Sequence, residues 1–376
     1  MLHISSVVVS KKMAVYWLFF VILSLQALSL RDRDLFSSYH SDKTKQKINF
    51  ITILLIIIIG FRYQVGGDWK VYAKLINSMV DAPLGLILRH DIGYYLLSWL
   101  GANGLGGIFF VNLIAACVFV LGLRRFALDQ SNPFLAILVA LPYAVWVVAQ
   151  GYIRQSMAIG FFLFALSVLK YNRSTYYLSF VLLATLFHRS SFFLLLFGIF
   201  PNMRRISASA LFIFLLSLVS LIFSLFFLYG DYLSQVIQSY SVDMYFSSGA
   251  GVRLSIVGIC SLLFILFAAR FNMTLYQRWF WKIFSLAGIA VLAAFLVFDK
   301  STILDRLGLY WLPLQILVLS NLPVFFSPQN GNSRRFVSVL IVLFSACVQW
   351  VWLFYADHAY KYLPYKNYLW EYVWSH

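Results

Sequence analysis

Side chains that could do chemistry are gathered in this sequence into short clusters, each beside a long apolar run. Every cluster contains an arginine, and acids, amides, tyrosines and an imidazole lie close to the arginines in sequence. The guanidinium group is a planar fork of hydrogen-bond donors that fits phosphate and diphosphate. This composition indicates an anionic, phosphate-bearing substrate. The candidates are Arg62, Asp68, Trp69, Tyr72, Arg89, Asp91, Arg154, Gln155, His188, Arg253, Asp305, Arg306 and Tyr310.

Asp68 is the candidate with the most distinctive neighbours. Gly66 and Gly67 precede it and permit a tight backbone. Tyr72 follows four residues later, so a helix at this point would present both side chains on one face. The alternative is that Asp68 caps the helix, with Trp69 and Tyr72 in the aromatic belt at the membrane surface.

The clusters around Arg89 and Arg154 also have structural alternatives. Arg89 could pair with Asp91 merely to order a loop. Arg154 could extend to the membrane surface, as long basic side chains do near helix ends. Gln150 shares a helical face with Arg154, and this favours a functional interpretation of that cluster.

His188 and Asp305 leave similar choices open. His188 lies beside Arg189 and suits anion binding or proton transfer, yet a lone histidine can also be an ordinary buried polar group. Asp305 could simply pair with Arg306. Arg306 and Tyr310 are four residues apart and can face one cavity.

The elements that must position these residues are transmembrane helices. Of the 376 residues, 62% are hydrophobic and 11% are charged, which excludes a soluble enzyme and a disordered chain. We predict an all-α polytopic membrane protein, a single transmembrane domain over residues 1–376, with external loops at about 62–104 and 230–252. About twelve apolar runs are candidate transmembrane helices. They are 13–30, 48–61, 105–123, 133–149, 152–169, 175–188, 190–203, 208–229, 253–269, 282–298, 308–326 and 336–356.

The basic residues predict the orientation. Alternate loops of one set carry 16 of the 29 Lys and Arg residues, several of them as pairs such as Arg124 with Arg125 and Arg204 with Arg205. Paired basic residues in short loops mark the cytoplasmic face. Both termini and all the candidate clusters are therefore expected on the outer side. The same scattered distribution argues against a nucleic-acid partner.

Motifs for several kinds of chemistry are missing. The sequence contains no G-x-x-x-x-G-K-[ST] phosphate loop, no H-E-x-x-H and no G-x-S-x-G. The cysteines show no metal-ligand spacing. We therefore expect neither a metal nor a cofactor.

Five segments, in order, resemble a known family. They read F-R-Y-x-x-G-G-D-W-x-x-Y from Phe61, D-I-G-Y-Y-L-L from Asp91, I-R-Q-S-M-A from Ile153, H-R-S-S from His188 and L-D-R-x-x-x-Y from Leu304. This order resembles the Wzy-type polysaccharide polymerases, in particular the EpsG-like branch, over about residues 48–326 and a tail at 362–367. Two departures are Asp91-Ile92 in place of a Glu-Pro pair, and Ser191 where the histidine motif would end in Ala.

The resemblance implies a function and a fold. Such an enzyme has a fold similar to the C-type membrane glycosyltransferases, with its active site on the outer face of the bacterial cytoplasmic membrane. It polymerises undecaprenyl-diphosphate-linked repeat units into O-antigen, capsule or exopolysaccharide, and a chain-length regulator is a possible partner. The alternatives are an O-antigen ligase and a flippase or transporter of lipid-linked oligosaccharide.

The resemblance also suggests a role for each candidate residue. Asp68 is the first choice of general base and His188 the second, and Arg154 and Arg306 complete the catalytic set by stabilising the diphosphate. The remaining candidates bind substrate. They are Arg62, Trp69, Tyr72, Arg89, Asp91, Gln155, Arg253, Asp305 and Tyr310.

Overall fold

The fold is known from a computed structural model that describes residues 2–30, 40–83, 85, 91–171, 173–199, 249–297, 301–326 and 331–374. Within those ranges there is no strand, and the elements are helices joined by short turns. In chain order the helices are α1 (Leu2–Ser29), α2 (Asp42–Gly60), α3 (Trp69–Asn77), α4 (Ile92–Ala102), α5 (Gly107–Ala127), α6 (Pro133–Gly151), α7 (Ile153–Val168), α8 (Ser174–Phe187), α9 (Arg189–Gly198), α10 (Ala250–Phe267), α11 (Leu275–Val297), α12 (Ser301–Gly308), α13 (Leu312–Phe326), α14 (Gly331–Tyr355) and α15 (Tyr368–Trp374).

The multi-pass, all-helical class is confirmed for the described residues. Among the described residues, seven segments are long and apolar enough to cross a membrane: α5, α6, α7, α10, α11, the α12–α13 segment and α14. The predicted runs at 13–30 and 48–61 fall on α1 and α2, and those at 175–188 and 190–203 on the shorter α8 and α9. The run at 208–229 lies outside the described residues. The count of twelve therefore stays a prediction.

The predicted external loops contain some helix. The segment at 62–104 includes α3 and α4, and its place outside the membrane stays a prediction. Most of the segment at 230–252 lies outside the described residues.

Helix α6 forms the centre of the bundle. It begins with Pro133 after Asn132, whose side chain caps the helix by accepting a 3.0 Å hydrogen bond from the Leu135 amide. Of its 18-residue apolar stretch, 94% is buried, because α1, α5, α13 and α14 pack around it. A helix that is apolar on all sides belongs in such a core. The stretch Leu141–Val148 winds as a π-helix, a widening often found near functional sites.

Close packing of α5 against α7 depends on glycine. A Cβ atom on Gly122 would clash with the Gly160 carbonyl oxygen, and one on Gly160 would lie 2.7 Å from the Val118 carbonyl oxygen. Small residues allow two membrane helices to approach in this way. The contact fixes the position of α7, which carries Arg154 and Gln155.

Helices α8 and α9 form an antiparallel hairpin against α7. The Tyr177 hydroxyl on α8 donates a 2.8 Å hydrogen bond to the Leu194 carbonyl on α9. His188 is extended at the tip, where the chain reverses direction. The tip therefore brings His188 and Arg189 to the same end of the bundle as the start of α7.

The bundle has two chemically distinct ends. We call the end that contains Asp68, Asp91 and Asp305 the site end. The other end, which we call the opposite end, contains Asp129 and Asn321.

The C-terminal segment folds back over the loop that precedes Asp68. The Tyr63 and Gly66 amides donate 3.0 Å hydrogen bonds to the Lys366 and Lys361 carbonyls, respectively. Gly66 has a φ of 117°, and a Cβ atom there would clash with the Gln150 carbonyl oxygen, so the loop tolerates only glycine. The tail and the end of α6 together fix the backbone next to Asp68.

Candidate functional site

Asp68 is a half-buried carboxylate at the site end. It occupies the position before α3 but makes no capping hydrogen bond, and its side chain has no hydrogen-bond partner among the described residues. Four basic side chains lie within its electrostatic reach: Arg306, Lys361, Arg154 and His358. Burial raises the pKa of the Asp68 carboxyl above its ordinary value, and those charges, Arg306 foremost, lower it part of the way back. The carboxylate is thus held near cations while its oxygens remain available.

Asp91 fixes two arginines. One of its oxygens accepts a 2.9 Å hydrogen bond from the Arg154 guanidinium. The other accepts a 3.2 Å hydrogen bond from the Arg189 amide and lies 3.7 Å from the Arg189 Nε. Asp91 is buried, whereas both guanidinium groups are partly exposed. The α8–α9 hairpin and α7 are therefore joined through one buried carboxylate.

Asp305 forms the second ion pair of the site. The Arg253 Nε and one terminal nitrogen each donate a 2.7 Å hydrogen bond to a different oxygen of Asp305. The same guanidinium lies over the Tyr143 ring at 4.9 Å. Two of its donors are thus occupied, and Arg253 ties α10 to α12.

Arg306 points in a different direction from Asp305. Its guanidinium lies over the ring of Tyr152, 4.7 Å from the ring centre, at the break between α6 and α7. The Gln155 amide nitrogen donates a 2.7 Å hydrogen bond to the Arg306 carbonyl, which joins α7 to α12. Arg306 therefore lies between Asp68 and the Asp305 pair.

Three further candidates, Tyr72, Tyr310 and His188, complete this group. Tyr72 on α3 is buried, and its hydroxyl interacts with the Arg154 guanidinium. Tyr310, buried after α12, lies with its hydroxyl 3.0 Å from the Ser190 hydroxyl at the hairpin tip. His188 lies within electrostatic reach of Asp91 and Arg154.

Arg62 and Trp69 lie beneath the site and are buried. The Arg62 guanidinium donates to the Ile59 and Val65 carbonyls at 2.6 and 3.2 Å and to the Asn112 side chain at 3.0 Å. It also lies 5.7 Å from the Trp69 ring centre. These contacts support the loop before α3, and substrate binding by either residue stays a prediction.

The structure separates some of the alternatives that the sequence leaves open. Asp305 pairs with Arg253, and the Arg306 guanidinium lies over the Tyr152 ring. Asp91 pairs with Arg154 and Arg189; Arg89 lies outside the described residues. The site thus gathers residues from α3, α7, α10, α12 and the α8–α9 hairpin.

Several buried polar atoms at the site end have no hydrogen-bond partner among the described residues. Both side-chain atoms of Gln150 are in this state, although the residue is only 1% exposed. Four other buried atoms also lack a partner there: the Gln155 side-chain oxygen, the Arg154 Nε, the Asn112 side-chain nitrogen and the His188 Nδ1. Unmet buried donors and acceptors cost free energy, and they are a mark of sites that bind polar ligands.

Lys361 and His358 near Asp68 were missed by the sequence analysis. Both lie in the C-terminal tail, where no sequence motif indicates a functional site. The tail segment at 362–367 belonged to the family resemblance, and its closeness to Lys361 was the available signal. Among the described residues, no three His, Cys, Asp or Glu side chains gather as metal ligands would.

Comparison with known families decides the classification. The model of the EpsG family matches residues 47–367, which is most of the chain. The chain belongs to the EpsG family. Neither curated proteins nor solved structures gave a match.

This EpsG-family chain is a multi-pass membrane protein of a family associated with exopolysaccharide biosynthesis. The match covers Asp68, Asp91, Arg154, Arg306 and Lys361. Every side chain described in the site therefore lies within the family's region.

Proposed function

We propose that this EpsG-family protein is a glycan polymerase that joins repeat units carried on lipid diphosphates. The observation that carries the proposal is the Asp68 carboxylate, half-buried and without a hydrogen bond among the described residues, close to Arg154 and Arg306. A general base needs free oxygens, and a diphosphate leaving group needs fixed cations.

The proposed reaction uses each group once. An acceptor hydroxyl of a new repeat unit attacks the anomeric carbon of the growing chain, and Asp68 takes the hydroxyl proton. The bond between that carbon and the diphosphate oxygen breaks, and the electron pair leaves with the lipid diphosphate. Holding both lipids in one site removes much of the entropic cost of their encounter.

The arginines divide the work in this proposal. Arg154 is partly exposed and one of its terminal nitrogens is held by Asp91, so its guanidinium is fixed where it can donate to the diphosphate. Arg306 contributes its guanidinium beside Tyr152. Arg253 is held by Asp305 through two donors, and we assign it to positioning. His188 remains the second candidate for the base.

The orientation and the partners complete the proposal. The site faces the outside of the bacterial cytoplasmic membrane, because paired basic residues such as Arg124 and Arg125 lie at the opposite end. Its substrates are undecaprenyl-diphosphate-linked glycans that enter from the bilayer, and the product is O-antigen, capsule or exopolysaccharide. A chain-length regulator would bind elsewhere on the protein.

Two other functions use a similar basic site. An O-antigen ligase would transfer the glycan to a lipid A core, and a flippase would move the lipid without forming a bond. A transporter site is expected near the membrane midplane. The start of α7 and of α10, where Arg154 and Arg253 lie, favours chemistry at one surface instead.

Reconstitution tests the proposal. Purified protein is given one defined undecaprenyl-diphosphate repeat unit, and the products are separated by size, in buffer with and without EDTA. We expect a ladder of products in both buffers, and none from Asp68→Asn. Glycan found only on added lipid A core would favour the ligase, and lipid that crosses the bilayer unchanged would favour the flippase. A ladder that requires added magnesium or manganese would contradict the metal-free mechanism.

A further inference from the structure

The C-terminal turn Ala359–Lys361 lies against the loop that carries Asp68. The Lys361 carbonyl accepts the Gly66 amide at 3.0 Å. The next residue, Tyr362, is buried and donates from its hydroxyl to the Val147 carbonyl at 3.3 Å. The Lys361 side chain therefore starts from a backbone that is fixed on both sides.

The anchoring of this turn extends into the core. The Tyr16 hydroxyl donates a 2.7 Å hydrogen bond to the Tyr362 carbonyl. Gln349 donates from its side chain to the Tyr16 carbonyl at 3.1 Å and accepts from Trp146 at 3.2 Å. Helices α1, α6 and α14 therefore hold the turn in place, so the backbone at Lys361 is part of the folded core.

The Lys361 ammonium has no hydrogen bond or close ion pair among the described residues. Its side chain is half-buried, and its electrostatic partner is the Asp68 carboxylate. Lysine is a compact point charge with three donors, so an ammonium kept free beside a candidate site is suited to an anionic oxygen.

The net charge of the site also favours binding of an anion by Lys361. Five arginine and lysine side chains of the site, leaving aside the fully buried Arg62, are set against three carboxylates, which leaves two positive charges. A diphosphate that joins a sugar to a lipid carries about two negative charges, one for each phosphate group. A lipid monophosphate carries a similar total charge on a single phosphate group, so it is the second phosphate group that distinguishes the two lipids. The cations are Arg154, Arg189, Arg253, Arg306 and Lys361, and the carboxylates are Asp68, Asp91 and Asp305.

We propose that Lys361 is an anion-binding residue that lets the site recognise a lipid diphosphate in preference to a lipid monophosphate. This inference rests on the proposed function and names a residue that it did not use. Arg154 and Arg306 hold one phosphate group through planar forks, and Lys361 contacts the other.

Binding to nanodiscs tests the assignment. Full-length protein in neutral lipid is titrated with undecaprenyl diphosphate and, separately, with undecaprenyl monophosphate. We expect Lys361→Met to weaken diphosphate binding about tenfold, the effect of one lost hydrogen bond between charged groups, and to leave monophosphate binding nearly unchanged. Lys361→Arg should restore most of the preference. Lys366→Met, in the same tail, is the matched control and should bind as the wild type does.

The pH profile of polymerisation provides a second readout. Removing the Lys361 charge removes a cation that lowers the pKa of Asp68, so the fall in activity toward acid should begin at a higher pH in Lys361→Met. The other charged or titratable groups near Asp68 stay in place. They are Arg306, Arg154, His358, Tyr72, Tyr152 and Tyr362.

The outcomes separate this inference from the proposed function. If wild-type protein prefers the diphosphate and Lys361→Met keeps that preference, the assignment of Lys361 is wrong and the polymerase proposal stands. An equal loss of affinity for both lipids would show a structural role and overturn the assignment as well. If the wild type binds neither lipid, both proposals fail together.

Discussion

Around Asn321, at the opposite end of the bundle, buried side chains complete one another's hydrogen bonds, whereas around Gln150 at the site end they do not. Asn321 donates to the Gln130 side chain at 2.9 Å and accepts from the Ser131 amide and hydroxyl. At the site end, Gln150 and Gln155 have buried polar atoms with no partner among the described residues. Both ends contain buried amides, so composition alone does not distinguish them. A polar ligand would supply the partners that the Gln150 and Gln155 atoms lack.

The carboxylates differ in the same way. Asp129 at the opposite end lies 2.6 Å from Lys170 and 3.2 Å from Arg125. Asp68 has cations within electrostatic reach but no hydrogen bond within the described part of the chain. The comparison suggests that Asp129 and Asn321 stabilise the fold, whereas Asp68, Gln150 and Gln155 are available to a substrate.

The largest expected effect comes from Asp68→Asn. Removing a general base costs about a hundredfold to ten-thousandfold in rate. Polymerisation by purified protein should fall by that factor, while the midpoint of thermal unfolding stays unchanged, since Asp68 makes no hydrogen bond that the variant would lose. Asp129→Asn is the matched variant at the opposite end and should polymerise normally. Equal activity losses in the two variants would contradict the comparison.

The next effect concerns the guanidinium forks. Arg154→Lys and Arg306→Lys keep the charge but lose the planar donors, and one lost transition-state donor costs about 3 kcal/mol, roughly a hundredfold in rate. Cells with either variant should display surface glycan of a single repeat unit, with normal amounts of the protein in the membrane.

The products of these two variants also sharpen the choice of function. Single-unit glycan shows that synthesis, flipping and ligation continue while polymerisation fails. A full-length ladder from both variants would make the residues membrane-surface anchors. Loss of all surface glycan would favour the ligase or flippase.

The smallest effect is expected from Asn321→Leu at the opposite end. The substitution removes the Asn321 partner of the Gln130 side-chain oxygen and of the Ser131 amide and hydroxyl, and it should lower the free energy of unfolding by about 1–3 kcal/mol. Product length should stay as in the wild type, measured on folded protein below the unfolding temperature. A shortened ladder would show that the opposite end takes part in the chemistry.

Composition and local pattern were enough to predict the membrane class and the helix starts that carry charge. They could not assign ion-pair partners. Asp305 and Arg306 are neighbours in sequence but point about 100° apart on a helix, so one meets Arg253 while the other lies over Tyr152. Partner choice depends on how α10, α12 and α7 pack, which no local pattern contains.

The contribution of the tail was hidden for a different reason. Lys361 reaches Asp68 because the chain returns to the site after the last long helix, α14. A lysine in a polar terminal segment looks like an ordinary solvated charge. Contacts at such separation are decided by tertiary structure and not by sequence spacing.

The hydrogen bond between the Gly66 amide and the Lys361 carbonyl also sets the earliest time at which the loop before Asp68 can be completed during synthesis. The two residues are about 295 positions apart, and ribosomes add about 5–20 residues each second, so the loop waits roughly 15–60 s for its partner. A nascent chain therefore lacks this hydrogen bond until residue 361 has been made.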